Sequence, residues 1–237
     1  KTSLSKSIFP NTLEFIKNYY EPGIEPVAGV IEKVKTEPQE SLINKDKGGG
    51  KEEFKIKYEG LAVFKEDKFI GYLDGTQTRA YNFIINQFGS AFMDIGKEDS
   101  KTVFEIMGSK CETKVSFQNN KASVSINLKL KCTIVNEQDK KNIDNDKTLN
   151  TLQTELNKTI KNELTETVQY VQTKYNSDIF GFGKSLHKQQ PSQWKKIKNN
   201  WYDYFNKADI KITVTSNITR SGEINQPAKL VGEPDED

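Results

Sequence analysis

Residues 101–135 have the sequence KTVFEIMGSKCETKVSFQNNKASVSINLKLKCTIV. Apolar and polar side chains alternate along both halves of this stretch, as they do in strands that bury one face. The halves flank residues 118–121, where two asparagines tolerate the left-handed backbone of a tight turn. The stretch predicts a β-hairpin with Lys and Ser outside and a buried face made of Val115, Phe117, Val124, Ile126, Leu128, Leu130 and Cys132.

A shorter hairpin is predicted before it. FKIKYEGLAVF (54–64) and KFIGYLD (68–74) are rich in aromatic and branched residues, and the polar turn at 65–68 joins them. Short helices are predicted at 8–20, with apolar positions at Leu13, Ile16, Tyr19 and Tyr20, and at 76–87, with Thr76 as the N-cap. Residues 23–36 alternate like an edge or irregular strand.

Two further helices and a last strand complete the pattern. Residues 147–175 repeat apolar side chains at steps of three or four, which predicts a long amphipathic helix covering a sheet. Trp194, Ile197, Trp201 and Phe205 form a second helical stripe, and residues 208–224 alternate as a strand. We therefore expect an α+β fold: a mainly antiparallel sheet covered by a long amphipathic helix and a shorter Trp-bearing helix.

The domain organisation follows from one polar stretch. Residues 36–53 have little apolar content and contain three consecutive glycines, which predicts a flexible joint. We expect residues 1–50 to be the remainder of a middle domain with this Gly-rich joint, and residues 51–237 to be a C-terminal α+β domain. Lys1 opens the chain without an apolar signal region, so we expect the natural N-terminus to lie further upstream.

Composition limits the classes of function. The chain of 237 residues carries 13 Phe, 9 Tyr and 2 Trp, too much aromatic content for a disordered protein. Its net charge of +2 comes from interspersed signs and gives no indication of nucleic-acid binding. No apolar run approaches the roughly 20 residues of a membrane span. The composition predicts a soluble globular chain with no nucleic-acid partner.

No constellation of residues predicts an enzyme. His187 is the only histidine, it has no companion at a metal-ligand spacing, and we expect it to face solvent. Gly181 and Gly183 belong to no complete phosphate-binding motif, so a turn explains them better. Carboxylate pairs such as Asp74 with Glu59 are better explained by capping and surface ion pairs. We predict no catalytic residues, no metal ligands and no cofactor.

Two pairs of residues leave alternatives open. Cys111 and Cys132 share one face of the long hairpin, directly opposite in one register and diagonal in the next, so a disulfide and two buried thiols both fit. Trp194 and Trp201 are two helical turns apart, which suits a core stripe or an exposed aromatic platform for a ligand. The core stripe is the favoured alternative.

Four stretches follow one another in a specific order. They are YEGLAVFKEDKFIGYLDGTQTRAYNFI (58–84), the long helix, SDIFGFGKSLHKQQPSQWKKIKNNWYDYF (177–205) and KITVTSNITRSGEI (211–224). This succession resembles the Ger(x)C family of spore germination proteins. The positions that match the family pattern are expected to be fold determinants: Gly60, Phe64, Gly71, Leu73, Asp178, Phe180, Gly181, Gly183, Pro191, Trp194 and Trp201.

The resemblance implies a non-enzymatic subunit of a nutrient germinant receptor. Such a subunit assembles with A-type and B-type membrane subunits and triggers germination. It is a lipoprotein on the outer face of the spore inner membrane, held by an N-terminal lipid anchor that this sequence lacks. An alternative is a stand-alone extracytoplasmic module that binds a small molecule in a pocket lined by residues 68–73 and 180–182. A third alternative is a hydrolase of cortex glycans, whose catalysis would depend on surface carboxylates and aromatic residues alone.

Overall fold

The computed structural model describes residues 10–35, 54–96, 101–137 and 146–219, which form an α+β fold with two sheets. The predicted Gly-rich joint at 36–53 lies outside the described residues. The expectation of a mainly antiparallel α+β protein is confirmed: all neighbouring strands but one pair are antiparallel.

The first sheet has three strands in the order β1-β2-β3. They are β1 (Val27–Lys35), β2 (Phe54–Lys65) and β3 (Lys68–Leu73), so the shorter predicted hairpin is confirmed. The register shifts by one residue where β2 passes Gly60, whose φ is 156°. A Cβ at this position would lie 2.0 Å from the carbonyl oxygen of Leu73, so only glycine allows β2 and β3 to approach this closely.

The second sheet has four strands in the order β4-β5-β6-β7. They are β4 (Ala91–Ile95), β5 (Thr102–Gln118), β6 (Lys121–Glu137) and β7 (Asp209–Thr219). The long hairpin is confirmed, with Asn119 and Asn120 both at positive φ in its turn. Strand β7 pairs parallel to β6, because the helices between them carry the chain back to the start of the sheet.

In the described ranges six α-helices accompany the sheets: α1 (Thr12–Tyr20), α2 (Gly75–Ile84), α3 (Asp146–Tyr170), α4 (Phe182–Gln189), α5 (Pro191–Ile197) and α6 (Trp201–Asn206). The cap of α2 is Asp74 rather than Thr76, because the Asp74 carboxylate accepts a hydrogen bond from the amide of Gln77 at 2.8 Å. The single helix predicted across residues 185–205 is divided. A helix is disfavoured at the residue before Pro191, and a 3-10 turn separates α5 from α6.

One core joins these elements. Helix α3 packs against β7 and buries Leu156, Ile160, Leu164 and Val168. The seven side chains predicted for the inner face of the long hairpin are all buried, which confirms that face. The outer face carries the polar alternate residues of the same strands, and it stays exposed.

Three side-chain amides take the place of a strand along the free edge of β5. Strand β4 pairs only with the first part of β5, so the rest of that edge has no described strand beside it. The Asn86 amide donates to the carbonyl of Cys111 at 2.8 Å and accepts from its N–H at 2.7 Å. The Gln189 side-chain oxygen accepts from the amide of Val115 at 2.9 Å, and Gln190 does the same two residues further along, at 3.0 Å. These bonds satisfy backbone groups of Cys111, Val115 and Phe117 along the exposed edge.

Both cysteines are buried free thiols in the structure. The register places Cys111 opposite Leu128 and Cys132 opposite Ile106, so the two are not cross-strand neighbours. Burial raises the pKa of Cys111, and it raises the pKa of Cys132 to about 11. Because the thiolate is the reactive form, the raised pKa of each cysteine makes both thiols less reactive near neutral pH.

We expect the native protein to react slowly with a thiol-specific chromogenic reagent near pH 8 and to release two thiols per chain after denaturation. A Thr215→Cys variant, which adds a thiol on the exposed outer face of the sheet, should react rapidly under the same native conditions. Release of no thiol from the denatured wild type would instead show that Cys111 and Cys132 are bonded.

A candidate docking surface braced by a buried aspartate

The turn between α3 and α4 is organised by the buried carboxylate of Asp178, which is 1% exposed. Its Oδ1 accepts from the amide of Phe182 at 3.1 Å, and its Oδ2 accepts from the amide of Gly183 at 2.7 Å. The indole N–H of Trp201 donates to the same Oδ2 at 2.9 Å. Burial raises the pKa of Asp178 to about 6, although these donors favour the carboxylate. Helix α4 is thus held to α6 through one carboxylate.

Two glycines allow this turn to close. Gly181 adopts φ 73° as the N-cap of α4, in the left-handed region that favours glycine. A Cβ on Gly183 would lie 2.6 Å from Nε1 of Trp201, so the indole can reach the carboxylate only because residue 183 has no side chain.

The aromatic residues of the motif lie inside the protein. Trp194 and Trp201 are 3% and 2% exposed, with ring centroids 5.7 Å apart, so the structure has the core stripe and not an exposed platform. Phe180 stacks on Phe182 with centroids 5.2 Å apart. His187 is exposed, as expected, and its ring lies over Trp194.

The N-terminal segment is bonded to the same turn. The amide of Glu25 donates to the carbonyl of Asp178 at 2.9 Å, and the carbonyl of Gly23 accepts from the amide of Lys184 at 2.8 Å. The buried Glu25 carboxylate accepts from the hydroxyl of Tyr202 and from the amide of Glu66, and burial raises its pKa. Residues from both sides of the predicted domain boundary at residue 50 therefore meet here, and the boundary itself stays a prediction.

The turn also supports the first sheet through hydrogen bonds to two of its strands. The hydroxyl of Tyr175 donates to the carbonyl of Tyr72 on β3 at 2.7 Å, and the hydroxyl of Ser177 donates to the carbonyl of Phe64 on β2 at 2.7 Å. A Cβ on Gly71 would lie 2.6 Å from the Tyr175 ring, so a glycine there admits the tyrosine. These bonds fix the backbone of β2 at Phe64 and of β3 at Tyr72, two positions whose side chains face outward.

An aromatic row crosses the outward side of these strands. Phe15 of α1 packs edge-on against Phe64 at 5.1 Å between centroids, Phe64 contacts Phe69 at 5.9 Å, and Phe69 contacts Tyr72 at 4.7 Å. Phe69 is 48% exposed and Tyr72 is 58% exposed. Helix α1, which contacts this row through Phe15, also exposes the apolar side chains that its spacing singled out: Leu13, Ile16, Tyr19 and Tyr20.

Large apolar side chains that stay exposed together mark interaction sites on soluble proteins. We call the aromatic row and the exposed side of α1 the aromatic surface. No sequence signal distinguished it, because an apolar side chain on a β-hairpin has the same pattern whether a partner or the core covers it.

The pocket expected between residues 68–73 and 180–182 is present only in part. A cavity of about 300 Å³ is lined by Phe180, Gly181 and Tyr81, but no residue of β3 reaches it. Lys17, Lys184 and Lys188 also line this cavity. Within the described ranges, no group of His, Cys, Asp and Glu could hold a metal ion, and no helix is long and apolar enough to cross a membrane.

Comparisons with known proteins agree on one family. The profile described as "Spore germination B3/ GerAC like, C-terminal" matches residues 59–222. The chain is 27% identical over 173 residues to spore germination protein YndF of Bacillus subtilis strain 168, covering 71% of this chain and 43% of that protein. It is 23% identical over 178 residues to spore germination protein B3 of the same strain, covering 74% of this chain and 48% of that protein.

A solved structure shares the fold. The crystal structure of the GerBC protein superposes with a TM-score of 0.64 at 23% identity, over 69% of this chain and 52% of that one. The chain thus spans about half the length of the relatives that it matches.

The bond between Trp201 and Asp178 can be tested with two tryptophan variants. We expect Trp201→Phe to lower the free energy of unfolding by about 2 kcal/mol more than Trp194→Phe, because only Trp201 donates to the buried carboxylate. Loss of that donor raises the pKa of Asp178 further. The extra loss should therefore be complete above the raised pKa of the variant and shrink as pH falls towards 6, where Asp178 protonates in the wild type.

Urea unfolding followed by circular dichroism at pH 5 and pH 8 measures both effects. Trp194 is the matched control because it is similarly buried and its indole N–H donates no hydrogen bond within the described part of the chain. Equal losses for the two variants at both pH values would contradict the assigned role of the carboxylate.

Proposed function

Because the chain belongs to the family of spore germination B3/GerAC-like C-terminal domains, we propose that it is a non-enzymatic subunit of a spore germinant receptor that acts through protein contacts. Its relatives named above are spore germination proteins, which supports a role in germination. In this proposal the protein assembles with A-type and B-type membrane subunits in the response to nutrients.

The aromatic surface is the observation that carries the proposal. Its rings stand on strands that are hydrogen-bonded to the buried turn through Tyr175 and Ser177. The backbone beneath the rings is therefore held in place before a partner arrives, which reduces the entropy lost on binding. Rigid, half-exposed Phe and Tyr side chains are also the residue types that dominate binding energy at protein interfaces.

The state of the acidic groups supports a non-enzymatic role. The Asp178 carboxylate is enclosed and occupied by three donors. Asp74 caps α2, and Glu59 is paired with Lys57 at 2.5 Å. Each of these carboxylates has a structural partner that accounts for it, so none needs a substrate to explain its position.

The proposal includes an arrangement at the membrane. A lipid anchor on an upstream segment would hold the protein on the outer face of the spore inner membrane, beside its membrane partners. Residues 51–237 would be the C-terminal domain. Residues 1–50 would be the remainder of a middle domain, and they contribute β1 to the first sheet.

A stand-alone small-molecule binding module is the second candidate. Tyr81 lines the cavity of about 300 Å³ and is 2% exposed. Titration with a panel of small carboxylic acids, followed by NMR chemical shifts, would support this function if residues 81 and 180–188 shift saturably. No saturable shift there would remove it.

Capture of membrane partners tests the receptor proposal. A tagged, full-length, lipid-anchored protein purified from spore inner-membrane extract should bring down two multi-span membrane proteins. We expect Phe69→Ser with Tyr72→Ser to reduce that capture by at least roughly 30-fold, since each buried interface aromatic contributes about 2 kcal/mol.

Phe92→Ser is the matched control, because Phe92 is 46% exposed on the second sheet, away from the aromatic surface. Its capture should equal that of the wild type. Capture that is unchanged in the double variant would exclude the aromatic surface as the interface, and failure of the wild type to capture either protein would overturn the proposed assembly.

A further inference from the structure

The outer face of the second sheet concentrates lysines. Lys110 on β5 lies directly opposite Lys129 on β6, and Lys131 follows two residues later on the same face. Lys114 and Lys211 lie on either side of Ser125, one on each neighbouring strand. All five lysines are exposed, and we call them the lysine face: Lys110, Lys114, Lys129, Lys131 and Lys211.

Most of this positive charge is not balanced by the protein. Glu112 lies within 3.5 Å of Lys110, and Asp209 is paired at 2.5 Å with Lys121, outside the lysine face. The other four lysines form no ion pair with an acid in the described ranges. Two further acids of this side are Asp94 on β4 and Glu105 on β5, and Glu105 lies opposite Thr133, two residues from Lys131.

This arrangement costs stability in the isolated protein. Like charges directly opposite each other on neighbouring strands repel, as Lys110 and Lys129 do here. Locally unfavourable arrangements occur most often at functional surfaces, because binding of a partner recovers the free energy that they cost in folding. A repulsive cationic cluster indicates an anionic partner.

The shape of the face suits a layer of phosphates. From Ser125 to Lys131 the lysine face runs about 20 Å along the strands, and it is about 10 Å wide across three strands. At one end, a concavity of about 740 Å³ has Lys114 and Lys211 on its sides and the small side chains of Ser116 and Ser123 among its lining. Small polar residues leave the surface open to a headgroup.

The residue types favour lipid over nucleic acid. Lysine places a compact charge on a flexible stem, which follows mobile phosphates, whereas arginine provides planar bidentate recognition. The outer-face residues between these lysines include no arginine and no aromatic side chain, which single-stranded nucleic-acid sites use for stacking: Glu112, Ser125, Asn127, Thr213, Thr215 and Asn217. Clusters of four to eight basic residues are typical of sites for anionic lipid.

We propose that the lysine face binds the anionic phospholipid headgroups of a membrane surface. This inference goes beyond the receptor role: it assigns the side of the protein that lies against the bilayer, and it does not depend on subunit assembly. The aromatic surface belongs to the other sheet, so both surfaces can be used in one complex.

Vesicle sedimentation tests the assignment with the chain described here. The wild type should bind vesicles containing phosphatidylglycerol and not vesicles of phosphatidylcholine alone, and binding should disappear near 1 M salt, where the Debye length is about 3 Å. Each lysine contributes about fivefold to partitioning, so Lys129→Gln/Lys131→Gln/Lys211→Gln should weaken binding by about 100-fold.

A control variant removes the same charge elsewhere. Lys158→Gln/Lys161→Gln/Lys196→Gln changes exposed lysines of α3 and α5, on the other side of the second sheet, and should bind nearly as well as the wild type. Circular dichroism of each variant verifies the fold. Equal losses in the two triple variants, no preference for phosphatidylglycerol, or tighter binding to a single-stranded polynucleotide than to these vesicles would overturn the proposal.

Discussion

One buried residue, Asp178, holds three parts of this protein together through its carboxylate and its backbone carbonyl. Asp178 receives two backbone amides from the start of α4 and the indole N–H of α6, and its own carbonyl receives the amide of Glu25 from the N-terminal segment. Burying a charged or polar group is costly unless hydrogen bonds compensate. Gly183 is needed because a side chain there would block the approach of Trp201, whose indole N–H donates to the carboxylate. The neighbouring Tyr175 and Ser177 donate hydrogen bonds to strands of the first sheet and so fix that sheet to the same turn.

The sequence predicted the parts of the fold that depend on local periodicity. The two hairpins and the long helix α3 are present because their apolar spacing matches the period of the element. The parallel pairing of β6 with β7 could not be predicted, since it depends on where the intervening helices return the chain. The division of the Trp-bearing stripe falls at the 3-10 turn Lys198–Asn200, between Ile197 and Trp201, and the apolar spacing that continues across this turn masked the break.

The candidate site was less predictable than the fold. Motif residues such as Asp178 and Gly183 could be selected from the sequence, but their role came from partners distant along the chain, such as Trp201. The aromatic surface was missed because Phe69 and Tyr72 have the pattern of an ordinary half-buried strand. Lysines were expected on the outer face of the long hairpin. The position of Lys110 directly opposite Lys129 depends on the strand register, which only the structure provides.

The amides of Asn86, Gln189 and Gln190 along β5 have a consequence for how this protein behaves at high concentration. A free strand edge is a template on which a second copy of the chain can add its own strand. Here a second copy would first have to displace three bonded side chains. Two of them, Gln189 and Gln190, are held in place by the end of α4. The second sheet can therefore keep a long strand edge without growing by strand addition, and the edge amides of Cys111, Val115 and Phe117 should exchange with solvent more slowly than unbonded edge amides.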